Sequence, residues 1–451
     1  MSRAGSALRR ARAWVAGLGP RPILVAGWAV FLVYAYPGYM SSDSVDQLLD
    51  ARLGTFNDWH SPAMTEVWRW VGFTIAGPFG MLALQSLLVL LGAYALAVRS
   101  LPARTAALVA SGLLVFPPVM AGMAVLWQDS QMAGFLIAGL AAVTSRRRGV
   151  QVAGFGLLVL ATAMRTSAAF AVLPMLAIGW TWRVEASSRR RYAVALVAWI
   201  AVWAAAIGLD IGLRSAATDH TELDLATADL VGVLRYGPSI DDAKARKLLA
   251  GIALHGDKIQ ARARPYYTHP FDAAAGPDRV FDLPVDAEGR AALIAAQRRL
   301  ARAFPGGYLS HRWHLFYRVL GVQAAARTLQ VYVGFAGSDE QAEAAVLLAQ
   351  HSALQSAAIA VVDATAQTPL FWPYLYLLAA IALLVLAVRR RQTVPAILLA
   401  SGIGYELTWF VVASGVRFAM SHWLITSTSF AAALLTIEAV RARRARLARQ
   451  S

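Results

Sequence analysis

Long apolar runs separated by short basic segments fill most of this chain. Ten stand out, at about 21–37, 79–98, 105–121, 127–145, 149–165, 167–183, 192–213, 372–389, 393–413 and 419–439. A helix rises 1.5 Å per residue, so runs of this kind are of the length that crosses a hydrocarbon core of about 30 Å. The pattern predicts an all-α polytopic membrane protein with about ten transmembrane helices. Phe116-Pro117-Pro118 cannot continue as one straight helix and is expected to separate the third and fourth spans. The first run follows Arg9, Arg10 and Arg12 as a signal peptide would. It continues to Tyr36 with no A-x-A site inside it, so it is expected to be a retained span.

Two stretches break the apolar pattern. One, 38–78, follows the first span. The other, 214–371, lies between the seventh and eighth. These divide the chain into an N-terminal bundle (1–213, including the first loop), a middle segment (214–371), and C-terminal spans with a basic tail (372–451). The middle segment has helical patterns at 240–263, 287–303 and 339–363. Between the first two lies a turn-rich centre, Arg264-Pro265-Tyr266-Tyr267-Thr268-His269-Pro270 and Gly276-Pro277-Asp278. It is expected to be a small, mainly helical extracytoplasmic unit.

Composition agrees with the pattern. The chain is 58% hydrophobic and 15% charged, against about 25% charged in soluble proteins. A net charge of +16 would suggest nucleic acid in a soluble chain, but here the arginines sit beside apolar runs. With the N-terminus assigned to the cytoplasm, Arg99/Arg104, Arg146–Arg148, Arg183 with Arg189–Arg191, Arg389–Arg391 and the tail from Arg441 to Arg449 all fall on the cytoplasmic side. Both termini are then cytoplasmic, and 38–78 and 214–371 face outward. There is no cysteine, which excludes a disulfide, a thiol nucleophile and a cysteine-ligated metal. The high alanine and arginine content suggests a bacterial inner membrane.

The first outer stretch carries unusual polarity. Ser44-Val45-Asp46-Gln47 fits a capping box at the start of a short surface helix with Val45, Leu48 and Leu49 on its apolar face. Asp43, Asp46 and Asp50 share another face by their spacing of three and four. Asp43 or Asp46 alone is as readily a helix-start residue, yet three acids together repel unless a cation or substrate lies between them. Asp58-Trp59-His60-Ser61-Pro62 adds a second polar cluster in the same loop.

The sequence Pro37-Gly38, then Ser41-Ser42-Asp43-Ser44-Val45-Asp46-Gln47, Gly54 and Phe56-Asn57-Asp58-Trp59-His60-Ser61-Pro62 resembles the first outer loop of the GT-C superfamily. These are polytopic glycosyltransferases that use polyprenyl-phosphate sugars. Asp43 matches the leading acid of that loop; Asp58, His60 and Pro62 match its second part. Ser44 replaces the second acid of a double-acid form, and Ser61 stands where proline is common. Short similarities recur in Leu126-Trp127-Gln128-Asp129, Ala163-Met164-Arg165-Thr166-Ser167, Phe304-Pro305-Gly306-Gly307-Tyr308 with His311-Arg312, and Val416-Arg417-Phe418.

The resemblance implies transfer of a sugar from a polyprenyl phosphate to an acceptor hydroxyl outside the cytoplasm. Such a reaction needs a base for the hydroxyl proton, a cation for the leaving phosphate and an apolar groove for the lipid. Asp43 is the expected base, with Asp46, Asp58 and His60 as further catalytic candidates. Asp129, Arg165, Arg312, Arg318 and Arg417 are the substrate-binding candidates. Arg165 and Arg417 lie at outer span ends, against the cytoplasmic bias of the other arginines; Arg312 and Arg318 would equally suit lipid headgroups on an interfacial helix. No metal ligands are assigned. A divalent cation is left open as a cofactor, and His311 and His314 have a spacing that two ligands could use. Glu406 lies inside the ninth span and must be paired or face a cavity. The partners expected are the lipid-linked donor, the bilayer and a glycan, glycolipid or protein acceptor, with no nucleic acid. The alternatives are a transporter or flippase of lipid-linked substrates, and another envelope enzyme such as a polymer ligase or an acyltransferase. A noncatalytic scaffold is a further alternative, against which the clustered acids speak. No repeated halves of the kind transporters show are visible.

Overall fold

The structure is a computed structural model that describes residues 17, 19–56, 60–180, 188–214, 220–275, 278–284, 286–322, 330–335 and 351–450. It is helical throughout, with only isolated β-bridges among the described residues. Helices α1 (Pro20–Ala35), α2 (Ser42–Leu53), α3 (Pro62–Gly72), α4 (Phe79–Ala97), α5 (Ala103–Leu114), α6 (Pro117–Ala124), α7 (Gln128–Val143), α8 (Arg148–Met164), α9 (Ala168–Pro174) and α10 (Ser188–Leu213) form the first part. Next come α11 (His220–Tyr236), three short helices, α12 (Ala287–Ala303) and α13 (Pro305–Val319). The chain ends with α14 (Ala353–Ala366), α15 (Pro373–Arg389), α16 (Thr393–Val412) and α17 (His422–Leu447). Pro20, Pro62, Pro117, Pro305 and Pro373 each open a helix, where the missing N–H costs no intrahelical bond.

This is the architecture of a polytopic membrane protein. Four helices are long and apolar enough to cross a bilayer by length and composition: Phe79–Ala97, Arg189–Leu213, Thr393–Val412 and the stretch Phe418–Leu447. A fifth is counted if α5 and α6, bent by 64°, are one span. The bend falls at Phe116-Pro117, so the proline pair breaks the third apolar run internally. The gap before the fourth is made separately at Val125–Trp127. Several other runs form shorter helices because a residue inside the run ends them. The run 167–183 contains Pro174 and continues as a π-helical turn, Met175–Gly179. The run 149–165 ends at Arg165, whose backbone is extended. Helix α10 leaves Leu196, Val197, Ile200, Ile207 and Ile211 exposed, an apolar surface suited to lipid.

The bundle packs tightly at small residues. A Cβ on Gly92 of α4 would stand 2.9 Å from the Ala138 nitrogen of α7, and one on Gly154 of α8 would stand 2.6 Å from the Val143 nitrogen. Backbones meet there at a distance that only glycine allows.

A second apolar core, separate from that of the bundle, lies between α11, α12 and the short helices, with Leu230, Leu234, Ile259, Phe281, Leu293 and Leu300 buried in it. From Leu315 onward the chain returns to the bundle core, which also takes Val362 of α14. Part of the helical pattern expected at 339–363 lies outside the described residues; from Ala353 it is helix α14, packed against α1.

Candidate active site

Five chain segments meet at one end of the bundle. Residues 39–44 run beside 124–127: the Tyr39 N–H donates to Ala124 O (2.8 Å), the Leu126 N–H to Tyr39 O (3.0 Å), Ser44 Oγ to Leu126 O (2.9 Å) and Trp127 Nε1 to Ser41 Oγ (3.1 Å). Residues 61–62 dock on the corner after α8, where Ser61 Oγ donates to Ala163 O (3.1 Å). With its amide oriented to satisfy both neighbours, Gln128 donates to Met164 O (3.3 Å) and accepts from the Ser61 N–H (3.0 Å). The turn between α16 and α17 closes the group, with Trp409 Nε1 donating to Met420 O at 2.9 Å.

This packing corrects the capping-box expectation. The residue before α2 is Ser41, and Ser44 lies inside the helix with its side chain buried. Gln47 is buried as well and donates to Ser61 O and Thr65 Oγ1, each at 3.2 Å. Side chains with the right spacing for a cap are drawn instead to partners across the fold. The expected apolar face is present in Val45 and Leu48, which are buried with Ala51. Helix α2 ends at Gly54, whose left-handed φ of 69° suits glycine.

Two acid–arginine pairs occupy the junction. Asp43, in the first turn of α2, accepts from Arg417 Nη1 at 2.7 Å. Below it, Arg165 holds Asp129 with a two-point fork, Nε to Oδ1 at 3.1 Å and Nη2 to Oδ2 at 2.8 Å. Tyr405 Oη donates to the same Asp129 Oδ1 at 2.9 Å, and the Arg165 guanidinium lies 5.4 Å from the Trp409 ring centroid. The pairs sit on joined segments: Trp127, two residues before Asp129, donates from Nε1 to Oγ of Ser41, two residues before Asp43. Of the predicted residues, the fold therefore unites Asp43, Asp129, Arg165 and Arg417. Tyr405 and Trp409 complete the group, and the sequence reading gave them no role. Their only signal was a hydroxyl and an indole beside Glu406 in an apolar run.

The pairs differ in strength. Side-chain exposure is 64% for Arg417 and 48% for Asp43, against 27% for Arg165 and 4% for Asp129. An exposed pair contributes about 0–1 kcal/mol. Removing one partner of a buried pair costs about 3–5 kcal/mol. The Arg417–Asp43 contact is therefore the weaker of the two.

The other candidates are placed as follows. His60 is half-buried and directly precedes Ser61, the cap of α3, so it lies beside the Arg165 corner. Asp58 and Trp59 lie outside the described residues. Asp46 is exposed on α2, and Asp50 accepts from Thr55 Oγ1 at 2.8 Å. Arg318 stands over the Tyr267 ring at 5.7 Å, in the middle segment. Arg312 is 1% exposed and holds Asp229 Oδ1 at 2.5 Å and Ala413 O at 2.6 Å. The structure thus places Arg312 against protein partners. His311 faces Asp229 (3.2 Å) while His314 stacks on Tyr236 at 4.4 Å, so the two do not converge on a metal. Among the described residues no group of three His, Cys, Asp or Glu could hold one, and the partner of Asp43 is itself a cation. Glu406 is fully buried and accepts from Ser421 Oγ at 2.7 Å, which pins the turn before α17 from inside.

No protein-family model matches the chain, and no curated protein matches it. Two solved structures resemble it. One is the crystal structure of ArnT from Cupriavidus metallidurans in the apo state, with 13% identity over 93% of this chain and 78% of that one and a TM-score of 0.35. The other is the same organism's ArnT bound to undecaprenyl phosphate, with 14% identity over 90% and 77% and a TM-score of 0.34.

Proposed function

We propose that the chain is a membrane glycosyltransferase that moves a sugar from a polyprenyl phosphate to an acceptor hydroxyl outside the cytoplasm. One observation carries the reading. A half-exposed carboxylate, Asp43, sits against an exposed guanidinium, Arg417, at the end of an apolar bundle that also holds a second, partly buried guanidinium at Arg165. This is the combination that glycosyl transfer from a lipid phosphate needs: a base beside a phosphate cation, within reach of lipid.

In this mechanism the donor phosphate takes Arg417 from Asp43. A guanidinium binds phosphate in two-point geometry, and the exposed pair is the one that yields. The freed Asp43 carboxylate accepts the proton of the acceptor hydroxyl. The acceptor oxygen forms its bond to the anomeric carbon as the bond from that carbon to the phosphate oxygen breaks, with inversion. The leaving polyprenyl phosphate keeps the electron pair, and Arg417 offsets its growing charge. Arg165, fixed by Asp129 and Tyr405, adds a positive field below. His60 lines the acceptor side.

The reading includes ten spans with both termini in the cytoplasm, a bacterial inner membrane, and a site facing outward. The three-part division at 213/214 and 371/372 belongs to it, with 214–371 over the site as the acceptor-facing segment. The sugar transferred is a hexose or a pentose.

The test is sugar release from a panel of radiolabelled polyprenyl-phosphate hexoses and pentoses, undecaprenyl phosphate being the first lipid tried. Purified protein is used with a membrane extract as acceptor, beside Asp43→Asn. Transfer that falls about a hundredfold in a folded, lipid-binding variant supports Asp43 as the base. Transfer that survives moves the base to another acid. Binding of lipid phosphate without transfer from any donor would favour a flippase.

A further inference from the structure

The turn 413–421 carries Arg417, and buried contacts hold it at three points. Trp409 Nε1 reaches Met420 O, and Ser421 Oγ reaches Glu406, both from inside the bundle. The third contact comes from the other side. Arg312 of α13 donates from Nη1 to Ala413 O at 2.6 Å, at the residue that ends α16 and begins the turn. Arg417 itself is mostly exposed, and among the described residues its hydrogen bond is to Asp43. Its position is therefore set by the turn rather than by its own packing.

Arg312 is 1% exposed and 101 residues from Ala413 in sequence. Its charge is balanced by Asp229 of α11, also buried, with Arg312 Nη2 to Oδ1 at 2.5 Å. Gln297 of α12 donates to the other oxygen of Asp229 at 2.8 Å. One buried cation thus joins three helices of the outer segment to the turn of the bundle that bears the phosphate candidate. Ridge contacts follow the same line: Phe316 of α13 meets Phe410 of α16 with ring centroids 6.0 Å apart. A buried pair as costly to desolvate as this one is weak as a source of stability, and a specific geometry is its best-attested use.

From this juxtaposition we infer that Arg312, held by Asp229, is a positioning residue that fixes the 413–417 turn and with it Arg417 over Asp43. The outer helices then set the geometry of leaving-group binding without touching the substrate. An acceptor that shifts α11 or α12 acts on Arg417 through this link. The inference rests on the proposed reading for the role of Arg417, but the link itself is a matter of structure.

The chain has no cysteine, so two spin labels can be placed without removing any residue. Leu53→Cys lies at an exposed end of α2, and Gly415→Cys lies where a new Cβ meets nothing within 4 Å. The distance distribution between labels is measured in nanodiscs for the parent pair and with Arg312→Lys, which keeps the charge and loses the fork. The expected result is a distribution at least about twice as wide with Arg312→Lys. Asp229→Asn, milder in shape, should widen it in the same direction, and serves if Arg312→Lys does not fold. An unchanged width in either folded variant, even with a lowered unfolding temperature, overturns the inference. In the transfer assay, label-free Arg312→Lys should lower kcat and kcat/KM together by about tenfold, as expected for loss of an interaction made in the transition state. If no transfer occurs with the wild type, the proposed function fails, while the distance measurement still decides the link.

Discussion

Arg417 donates to Asp43 at 2.7 Å across a sequence separation of 374 residues. The contact joins the stretch after α1 to the turn before α17, so neither end of the chain holds the candidate site alone. It is also an exposed pair, and weak for that reason. In the proposed mechanism a phosphate that displaces Asp43 from Arg417 would free the base and gain a counter-charge in one exchange.

Arg417→Ala should lower transfer by about a hundredfold or more, the cost of removing a charge-stabilising donor. Arg417→Lys keeps the charge without the fork and should lie between the two, about tenfold down. Initial rates at saturating donor measure both. Equal rates for Arg417→Ala and the parent would remove this residue from the mechanism.

The Asp129–Arg165 pair should behave differently. Asp129→Ala leaves a guanidinium without its buried partner and should cost about 3–5 kcal/mol of stability. Asp129→Leu combined with Arg165→Met replaces both charges with apolar volume and should recover most of that loss while transfer stays low. Thermal unfolding in detergent, read beside transfer, separates the two effects.

Gly154→Ala places a methyl group against the backbone of Val143. Overpacking of this kind costs about 1–3 kcal/mol. Gly156→Ala, two positions on, meets nothing within 4 Å and should be neutral or stabilising by up to about 1 kcal/mol through helix propensity. A similar unfolding temperature for the two variants would contradict the close approach of α7 and α8.

Burial holds His311 below its usual value of 6.5, and the facing Asp229 only partly opposes this. The unfolded chain then binds the proton more readily. Stability is complete above pH 6.5 and falls as the pH drops from there through the lower folded value, by at most about 1.4 kcal/mol per pH unit for one group. His311→Gln should lose that part of the acid sensitivity. Parallel unfolding curves for the two proteins between pH 7 and pH 5 would show that His311 does not titrate with folding.

Helix positions were legible because a single local rule, apolar length, governs them. Each of the ten apolar runs coincides with a helix or a broken helix pair. Asp43, Arg165 and Arg417 stand out along the chain for different reasons: Asp43 leads the polar motif after the first apolar run, and Arg165 and Arg417 fall at predicted outer span ends, against the arginine bias. The pairing of Arg312 with Asp229 was not legible, because Asp229 lies in a different helix and no local pattern links the two. Ser44 and Gln47 were misjudged because a capping box is a local pattern, and buried polar groups take whatever partner the fold brings.

The sequence by itself determined that the chain is a helical membrane protein and that its unusual acids cluster after the first apolar run, since both follow from residue type and spacing. Only the tertiary structure decided which acid meets which arginine. Asp43 pairs with Arg417, Asp129 with Arg165 and Asp229 with Arg312. Each pair joins different chain segments, and no pattern along the chain encodes the distance between segments that packing brings together.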